Sequence, residues 1–345
     1  MKLKDIAREA NVSPATVSLV LNGREGVGQE KRKQIADLLE EHGYRLGSSQ
    51  EKKPAKKNIR MIKYKKHALL VEGNPGFVNA ILDAVEKECR RQGYNLIMTA
   101  YGENQLPQIA DLLAQDPADG ILLLGTELVP EDMAYLEGVT TPIVILDNYM
   151  PFLDCNCITM NNEEAIYRSV SHLLSLGHPR IGFLANILPS SNCNVRRKAF
   201  EQAMVHLGGD FDPALVYPVH PTPDGAYQSI HDMLEKGVKF PTALVANNDS
   251  IALGAMKAFK EHKLRIPEDI SIVGFDSIPY STISDPPLTT MEVSCTDMGI
   301  WAVRILCDRI KYPFSSVTKM QVGTKLLERS STAPFRPVGQ NAHLL

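Results

Sequence analysis

Apolar runs of strand length alternate with amphipathic helical stretches from about residue 59 almost to the end of the chain, and this beat restricts the fold more than any other feature. IRMIKY, NLIMTAY, DGILLLG and PIVILD read as buried strands, with helices beginning near Gly76, Gln105 and Pro130. A second group has RIGFLA, TALVA and ISIVGFD as strands and helices starting near Asn161, Asn192, Asp224 and Asn248. Strands without polar alternation are covered on both faces, so the pattern predicts right-handed βαβ units and parallel, doubly wound sheets. Roughly 280 residues of it exceed what one sheet usually absorbs. Two lobes are expected, with a cleft beyond the carboxyl ends of their strands. The 345 residues are 44% apolar, enough for a substantial core. The distance from Tyr44 favours IRMIKY as the first strand over HALLVEG with a longer linker.

The N-terminal segment obeys the 3.6-residue period instead. In LKDIAREA, Ile6, Ala7 and Ala10 recur at helical spacing, and Asn11 ends the run. Ser13 suits an N-cap and Pro14 the first helical position, ahead of an inner stripe of Val17, Val20 and Leu21. A third helix is predicted over 29–42, with Ile35, Leu38 and Leu39 inward and Gly43 as its left-handed stop. Three helices this short, two around a tight turn, make a small all-α helix-turn-helix headpiece, whose second helix enters the DNA major groove by its N-terminal end. Lys2, Ser13, Pro14, Ala15, Thr16, Ser18, Leu19 and Asn22 are the residues expected against DNA. A plain helical hairpin capping a larger domain would share the geometry, so charge matters. Residues 1–66 hold 16 Lys+Arg against 8 Asp+Glu, and the remainder holds 21 against 32. A basic head on an acidic body suits a polyanion partner. Between them RLGSSQEKKPAKKN is polar, basic and interrupted by Pro54, which marks a linker ending near residue 57. Its Lys52 and Lys53 are expected on phosphates.

Other function classes are poorly served. There is no GxSxG elbow, no GxxxxGK(S/T) loop and no HExxH pair. His67, His172, His178, His206 and His220 lie scattered without a nucleophile partner and read as surface or packing residues. Cysteines 89, 155, 157, 193, 295 and 307 form no CxxC pair, and no apolar leader precedes the first helix, so a reducing cytoplasm is expected. Cys155 and Cys157 alone are too few for tetrahedral zinc. No enzyme, cofactor, metal or membrane association is expected. A solute-binding protein of a transporter would share the lobes but need an export signal and no basic head.

DIAREANVSPATVSLVLNG, followed by IADLLEEHGY, resembles the headpiece of the LacI/GalR family of bacterial regulators. TPIVILDNYM, NNEEAIYRSVSHLLSLGHPRIGFLA, ANNDSIALGAMKAFKEHKLRIPEDISIVGFDSIP and DPPLTTMEVSCTDMG resemble successive blocks of the same family, so the resemblance covers nearly the whole chain. It implies a two-lobed, periplasmic-binding-protein-like effector and dimerisation domain over 58–338, its lobes exchanging chain more than once. The N-terminal lobe is expected at about 58–160 plus 290–320 and the C-terminal lobe at about 161–289 plus 321–338, with 339–345 as a tail. A repressor acting as a homodimer on a near-palindromic operator is implied, controlled by a small effector, a sugar or glycoside in preference to a purine.

By similarity, Asp147, Arg196, Asn248 and Asp276 match the family's sugar-contacting positions, with Phe77 as an apolar wall against a ring. A carboxylate accepts from two hydroxyls, a guanidinium donates through a fixed fork, and an amide does both. The competing reading has Asn248 and Asp249 capping their helix and Asp276 anchoring a loop; capping is preferred for Asp249 and ligand contact for the others. Three departures from the family stand out. With IRMIKY as the first strand, KKHALLVEG is extra sequence before the NPGF block, expected beside the cleft mouth or dimer face. The linker lacks the proline-asparagine start and alanine-arginine-x-leucine core of the family's hinge helix, leaving Leu46 as the one larger apolar candidate for a minor-groove wedge. Less DNA bending is therefore expected, with more reliance on Lys52, Lys53, Lys56 and Lys57. Pro14 and Ala15 stand where an aromatic or amide-bearing pair is frequent, and Leu19 where arginine is frequent, so the operator is expected to differ from the commonest family sequence.

Overall fold

A computed structural model describes residues 3–21, 26–44 and 57–336, and the chain divides into two compact units, one up to Lys57 and one from Asn58. The first unit contains α1 (Leu3–Glu9), α2 (Pro14–Leu21) and α3 (Gln29–Glu41). Ile6, Ala7, Ala10, Val17, Val20, Ile35 and Leu39 are buried together, and Leu21 and Leu38 pack half-buried against them. Ser13 Oγ accepts from the backbone N–H of Thr16 at 3.1 Å, which fixes the start of α2. Asn11, at φ 51°, turns the chain between α1 and α2, and Gly43, at φ 74°, follows α3. Lys2, Asn22, Leu46, Lys52, Lys53, Lys56 and the 339–345 tail lie outside the described residues.

In the second unit the chain runs through β1 (Asn58–Lys65), α4 (Leu69–Glu72), α5 (Pro75–Arg91), β2 (Asn95–Gly102), α6 (Ile109–Gln115), β3 (Gly120–Leu124), β4 (Ile143–Leu146) and β5 (Asn156–Met160). It continues through α7 (Asn162–Ser175), β6 (Ile181–Asn186), α8 (Ser191–His206), β7 (Val216–Val219), α9 (Pro223–Glu235), β8 (Ala243–Ala246) and α10 (Asp249–Glu261). The last part is β9 (Ser271–Asp276), α11 (Tyr280–Ile283), β10 (Thr289–Val293), α12 (Cys295–Lys311), β11 (Lys319–Val322) and β12 (Thr324–Leu327). Two six-stranded sheets result, in the orders β11-β5-β4-β3-β1-β2 and β12-β10-β9-β8-β6-β7. All pairings are parallel except β12 on β10. IRMIKY is thus the first strand, and HALLVEG contributes the single turn of α4. The crossovers expected at Gln105 and Pro130 are 3₁₀ in part or whole, at Glu103–Gln108 and Pro130–Leu136. Pro107, which has no N–H to continue an α-helix, sits inside the first.

The lobe boundaries differ from those expected. The strand at 289–293 pairs with β9, so the C-terminal lobe keeps the chain to Val293 and the crossing falls at Ser294, not at 290. Helix α12 then covers β3, β4 and β5 of the N-terminal lobe, and β11 pairs with β5 as far as Val322. The final crossing is at Gly323, a few residues later than 320. Sequence alone marks α12 by its apolar face, while sheet membership is decided by pairing far along the chain. No helix among the described residues is long and apolar enough to cross a membrane.

The headpiece has its own small core, so Ile35→Ala, at a fully buried position, should destabilise it by about 2–4 kcal/mol. Amide exchange should accelerate within residues 3–44 and stay unchanged from residue 58 onward; equal loosening of both units would contradict the division.

Candidate functional site

Every strand that carries a cleft residue does so at its carboxyl end. In the N-terminal lobe, Leu70 and Asn74 follow β1, Thr126 follows β3 and Asp147 follows β4; in the C-terminal lobe, Ser190, Asn192, Cys193 and Arg196 follow β6, Asn247 and Asn248 follow β8, and Asp276 ends β9. Phe77 and Val78, from the first turns of α5, complete the wall. The geometry follows from parallel pairing, which brings the carboxyl ends of strands distant in sequence to one edge.

Both site aspartates adopt backbone conformations that side chains rarely take, with φ 64° at Asp147 and φ 105° at Asp276. Such turns cost of order 1–3 kcal/mol each and persist where surrounding contacts fix them. Asp147 accepts from Thr126 Oγ1 at 2.6 Å and from Asn192 Nδ2 at 3.0 Å. Asp276 accepts from Asn74 Nδ2 at 2.6 Å, and its carboxylate lies 3.8 Å from Arg196 Nη2. The guanidinium donates through Nε to Asn162 Oδ1 and through Nη1 to the Asn247 carbonyl, both at 2.7 Å, and stacks 3.6 Å above the Phe275 ring. Asn162 Nδ2 in turn donates to Asn192 Oδ1 at 2.9 Å, so the Arg196 and Asp147 clusters form one network.

Burial dominates the electrostatics. Desolvation lifts the Asp147 carboxyl to about 6 against the pull of Thr126, Arg196 and Asn192. It lifts Asp276 to about 7, with Arg196 lowering and Asp147 raising the value. Asp249 rises to about 8, again through desolvation, with Asp276 adding to the effect.

The helix cap expected at Asp249 falls on its neighbour Asn248. Asn248 Oδ1 accepts from Ile251 N at 2.9 Å and is the N-cap of α10, while its residue still lines the cleft. Asp249 caps nothing. Its fully buried carboxylate accepts from Ile278 N at 2.9 Å and from Thr290 Oγ1 at 2.6 Å, anchoring the loop after β9. A side chain at Gly274 would collide with that carboxylate.

Sequence reasoning missed Asn74, Thr126, Asn162, Asn192 as a cleft residue, and Asn247. The available signal was polar residues directly after apolar strands, which singled out Asn248 but not its neighbour. It also missed Glu127, whose buried carboxylate accepts from the backbone N–H groups of His67, Ala68, Leu70 and Val71 and so holds α4 at the cleft rim. The extra KKHALLVEG segment therefore borders the cleft. Among the described residues, Asn74 Oδ1 and Asn247 Nδ2 are buried in this wall without a partner.

Contacts that draw the lobes together include Asn192 to Asp147, Thr159 Oγ1 to Asn192 Oδ1 at 3.3 Å, Asn74 to Asp276, and Ser250 Oγ to the Gly73 carbonyl at 3.1 Å. The space left between them is about 40 Å³, which holds a few waters at most. Larger hollows lie elsewhere. One of about 280 Å³ sits at the amino ends of β4 and β5, and one of about 710 Å³ lies along α7 and α8. Neither gathers strand carboxyl ends.

In the headpiece, Ser13, Pro14, Ala15 and Ser18 are exposed, and Thr16 and Leu19 are half-buried, on the side of α2 away from Val17 and Val20. Ser13 Oγ and Thr16 Oγ1 share a hydrogen bond of 2.8 Å.

A helix-turn-helix unit joined to two parallel-sheet lobes with a polar cleft defines a ligand-responsive regulator. Residues 2–45 match the model of bacterial regulatory proteins of the lacI family, and residues 170–332 match that of the periplasmic binding protein-like domain. The chain is 30% identical over 337 residues to the HTH-type transcriptional repressor PurR of Haemophilus influenzae, covering 95% of this chain and 98% of the relative. It superposes on the transcriptional regulator CelR–cellobiose complex with a TM-score of 0.72 at 22% identity, covering 96% and 99% of the two chains. The lac repressor dimer bound to operator and the anti-inducer ONPF gives 0.70 at 23% identity, with the same coverage. The chain belongs to the lacI family of bacterial regulatory proteins, DNA-binding transcriptional regulators and not enzymes.

The cleft carboxyls Asp147 and Asp276, and Asp249 which anchors the loop after β9, are each held above the unfolded value near 4. With respect to these groups the fold is most stable below about pH 4 and loses that contribution as pH rises through about 6 to 8. Asp249→Asn should flatten the decline in unfolding free energy between pH 5 and 8, measured by urea denaturation; a slope identical to that of the natural protein would overturn the assignment.

Proposed function

We propose that the chain is a cytoplasmic transcriptional repressor that binds a near-palindromic operator as a homodimer and changes its operator affinity when a sugar or glycoside enters the cleft between the lobes. The observation that carries the ligand class is the chemistry of the wall. Carboxylates, a guanidinium and amides converge there, two amide atoms lack partners, and Phe77 is the one aromatic ring among the described lining residues. Adjacent hydroxyls match such a set, each able to donate to a carboxylate and accept from an amide or guanidinium. A flat heterocycle would find one aromatic face, from Phe77, beside the aliphatic Leu70 and Val78, and would leave most of the polar groups unmatched.

Asp147, Arg196, Asn247, Asn248 and Asp276 contact the ligand in this reading. Ligand hydroxyls replace the hydrogen bonds that now run between the lobes, so occupancy and lobe closure are linked. A coupling of about 1–3 kcal/mol between effector and operator is typical of such systems. On the DNA side, Ser13, Pro14, Ala15, Thr16, Ser18 and Leu19 face the groove, joined by Lys2, Asn22, Lys52 and Lys53. Two heads on one dimer read the two half-sites.

Thermal-shift screening of the full chain against sugars, glycosides, sugar phosphates and purines tests the ligand class. A sugar or glycoside should stabilise the protein, and Arg196→Ala should weaken that ligand about 10- to 150-fold, or about 1.5–3 kcal/mol for hydrogen bonds to a charged group. Operator binding measured without effector should survive the substitution. Stabilisation by purines alone would overturn the sugar assignment.

Neither Pro14 nor Ala15 can make a bidentate bond to a base edge, although both can touch a thymine methyl. Leu19→Arg should therefore change the preferred base at one position in each half-site, by roughly 1–3 kcal/mol. Selection from randomised operators checks this, and an unchanged preference would refute it.

A further inference from the structure

Far from the cleft, helices α9 and α10 bring together three side chains that no part of the regulator's mechanism uses. His231 and Glu235 stand four residues apart on α9 and share one face of the helix. His262, the residue that closes α10, meets them from the neighbouring helix. Its Nε2 lies 3.0 Å from His231 Nδ1 and 3.7 Å from Glu235 Oε1. One ligand atom from each residue falls within 4.8 Å of the others.

We propose that His231, Glu235 and His262 form a binding site for a divalent transition-metal ion, Zn²⁺ being the best match. Tetrahedral zinc with bonds of about 2.0–2.1 Å sets its ligand atoms about 3.3 Å apart, between the two separations found. Two imidazoles and one carboxylate are a donor set suited to Zn²⁺, Co²⁺ or Ni²⁺ and unlike the all-oxygen sets of Mg²⁺ and Ca²⁺. A hydrogen bond between the imidazoles and an ion pair of Glu235 with the same Nε2 would use the groups only in pairs. A shared cation accounts for all three. The Tyr227 ring stacks on His231 at 5.7 Å between centroids and 22° between planes, which restrains that imidazole. Both histidines are half-buried while Glu235 is exposed, so the fourth coordination position faces water, as in a three-ligand open site.

No sequence motif announced the site, because the third ligand comes 27 residues after Glu235 at the end of the next helix. Helix α10 carries Asn248 at its cleft end and His262 at the other, about 20 Å away for 13 residues. The metal would thus clamp the two helices without touching the effector.

The test uses the full chain without a histidine tag, stripped by chelator and titrated with Zn²⁺ and Co²⁺. One tightly bound ion per chain is expected, raising the melting temperature, with a Co²⁺ spectrum free of thiolate charge-transfer absorption. His262→Gln should weaken binding about 100-fold or more and Glu235→Gln about ten-fold or more, since loss of even an outer-shell partner costs about 10- to 100-fold. Glu235 is exposed, so its substitution leaves folding intact and keeps the test valid should the His262 variant fold poorly. A thiolate band, or Zn²⁺ binding unchanged in Glu235→Gln and in a folded His262→Gln, would overturn the proposal.

Discussion

One buried guanidinium between two buried carboxyls governs the cleft, with a third carboxyl, Asp249, coupled to Asp276. Arg196, Asp147, Asp249 and Asp276 are all nearly inaccessible to water, where an unpaired charge costs several kcal/mol. Arg196 offsets one negative charge, and its fork is already divided between Asn162 and Asn247. The remaining carboxyls are satisfied by hydroxyl and amide donors or drawn toward protonation near neutral pH. Such a cluster persists because each member is hydrogen-bonded. It is also responsive, because replacing one donor changes the balance for the rest.

The same groups join the lobes. Asn192 reaches from α8 to Asp147, and Asn74 reaches from the start of α5 to Asp276. Separating the lobes exposes both carboxylates to water, which costs the hydrogen bonds but recovers solvation. These opposing terms are of similar size for buried ionic groups, so a ligand able to supply equivalent donors can shift the equilibrium with a modest binding energy. The N-terminal rim is held in place by Glu127, whose carboxylate accepts from four backbone N–H groups in and just before α4. A loop that long would otherwise be free to move across the cleft mouth.

Most of the architecture was legible in the residues because parallel strands covered on both faces announce themselves as continuous apolar runs. Ile121 to Leu124 and Val144 to Leu146 are buried throughout, and their short length and flanking Gly and Pro favour a covered strand over a buried helix. The headpiece was equally clear, since Ile6, Val17, Ile35 and Leu39 define three helical faces that can only meet one another. What could not be read was partnership. Thr289–Val293 looks alike whichever sheet takes it, and only its register with Val273 to Asp276 assigns it to the C-terminal lobe. Asn247 and Asn248, identical in chemistry, both line the cleft, but only Asn248 also caps α10, because they occupy successive positions of the strand-to-helix turn. Asp249 was misread as a cap for the same reason. Its true partner, Thr290, lies 41 residues away.

The path of the chain between lobes determines how the cleft can work. It crosses three times, between Met160 and Asn162, between Val293 and Cys295, and between Val322 and Thr324, each time through a single connecting residue. Two of these crossings lie side by side, because Asn161 N donates to the Val322 carbonyl at 2.7 Å. Connections this short cannot let one sheet slide past the other, so relative motion is confined to rotation about the crossings, the hinge mode of domain closure. In a hinge rotation every contact on the far side of the axis lengthens together. Asn192–Asp147, Asn74–Asp276 and Ser250–Gly73 must therefore break or form as a set, which favours two discrete lobe arrangements over a graded opening. A ligand that biases one of those contacts biases them all, and that is the property a sensor of this architecture requires.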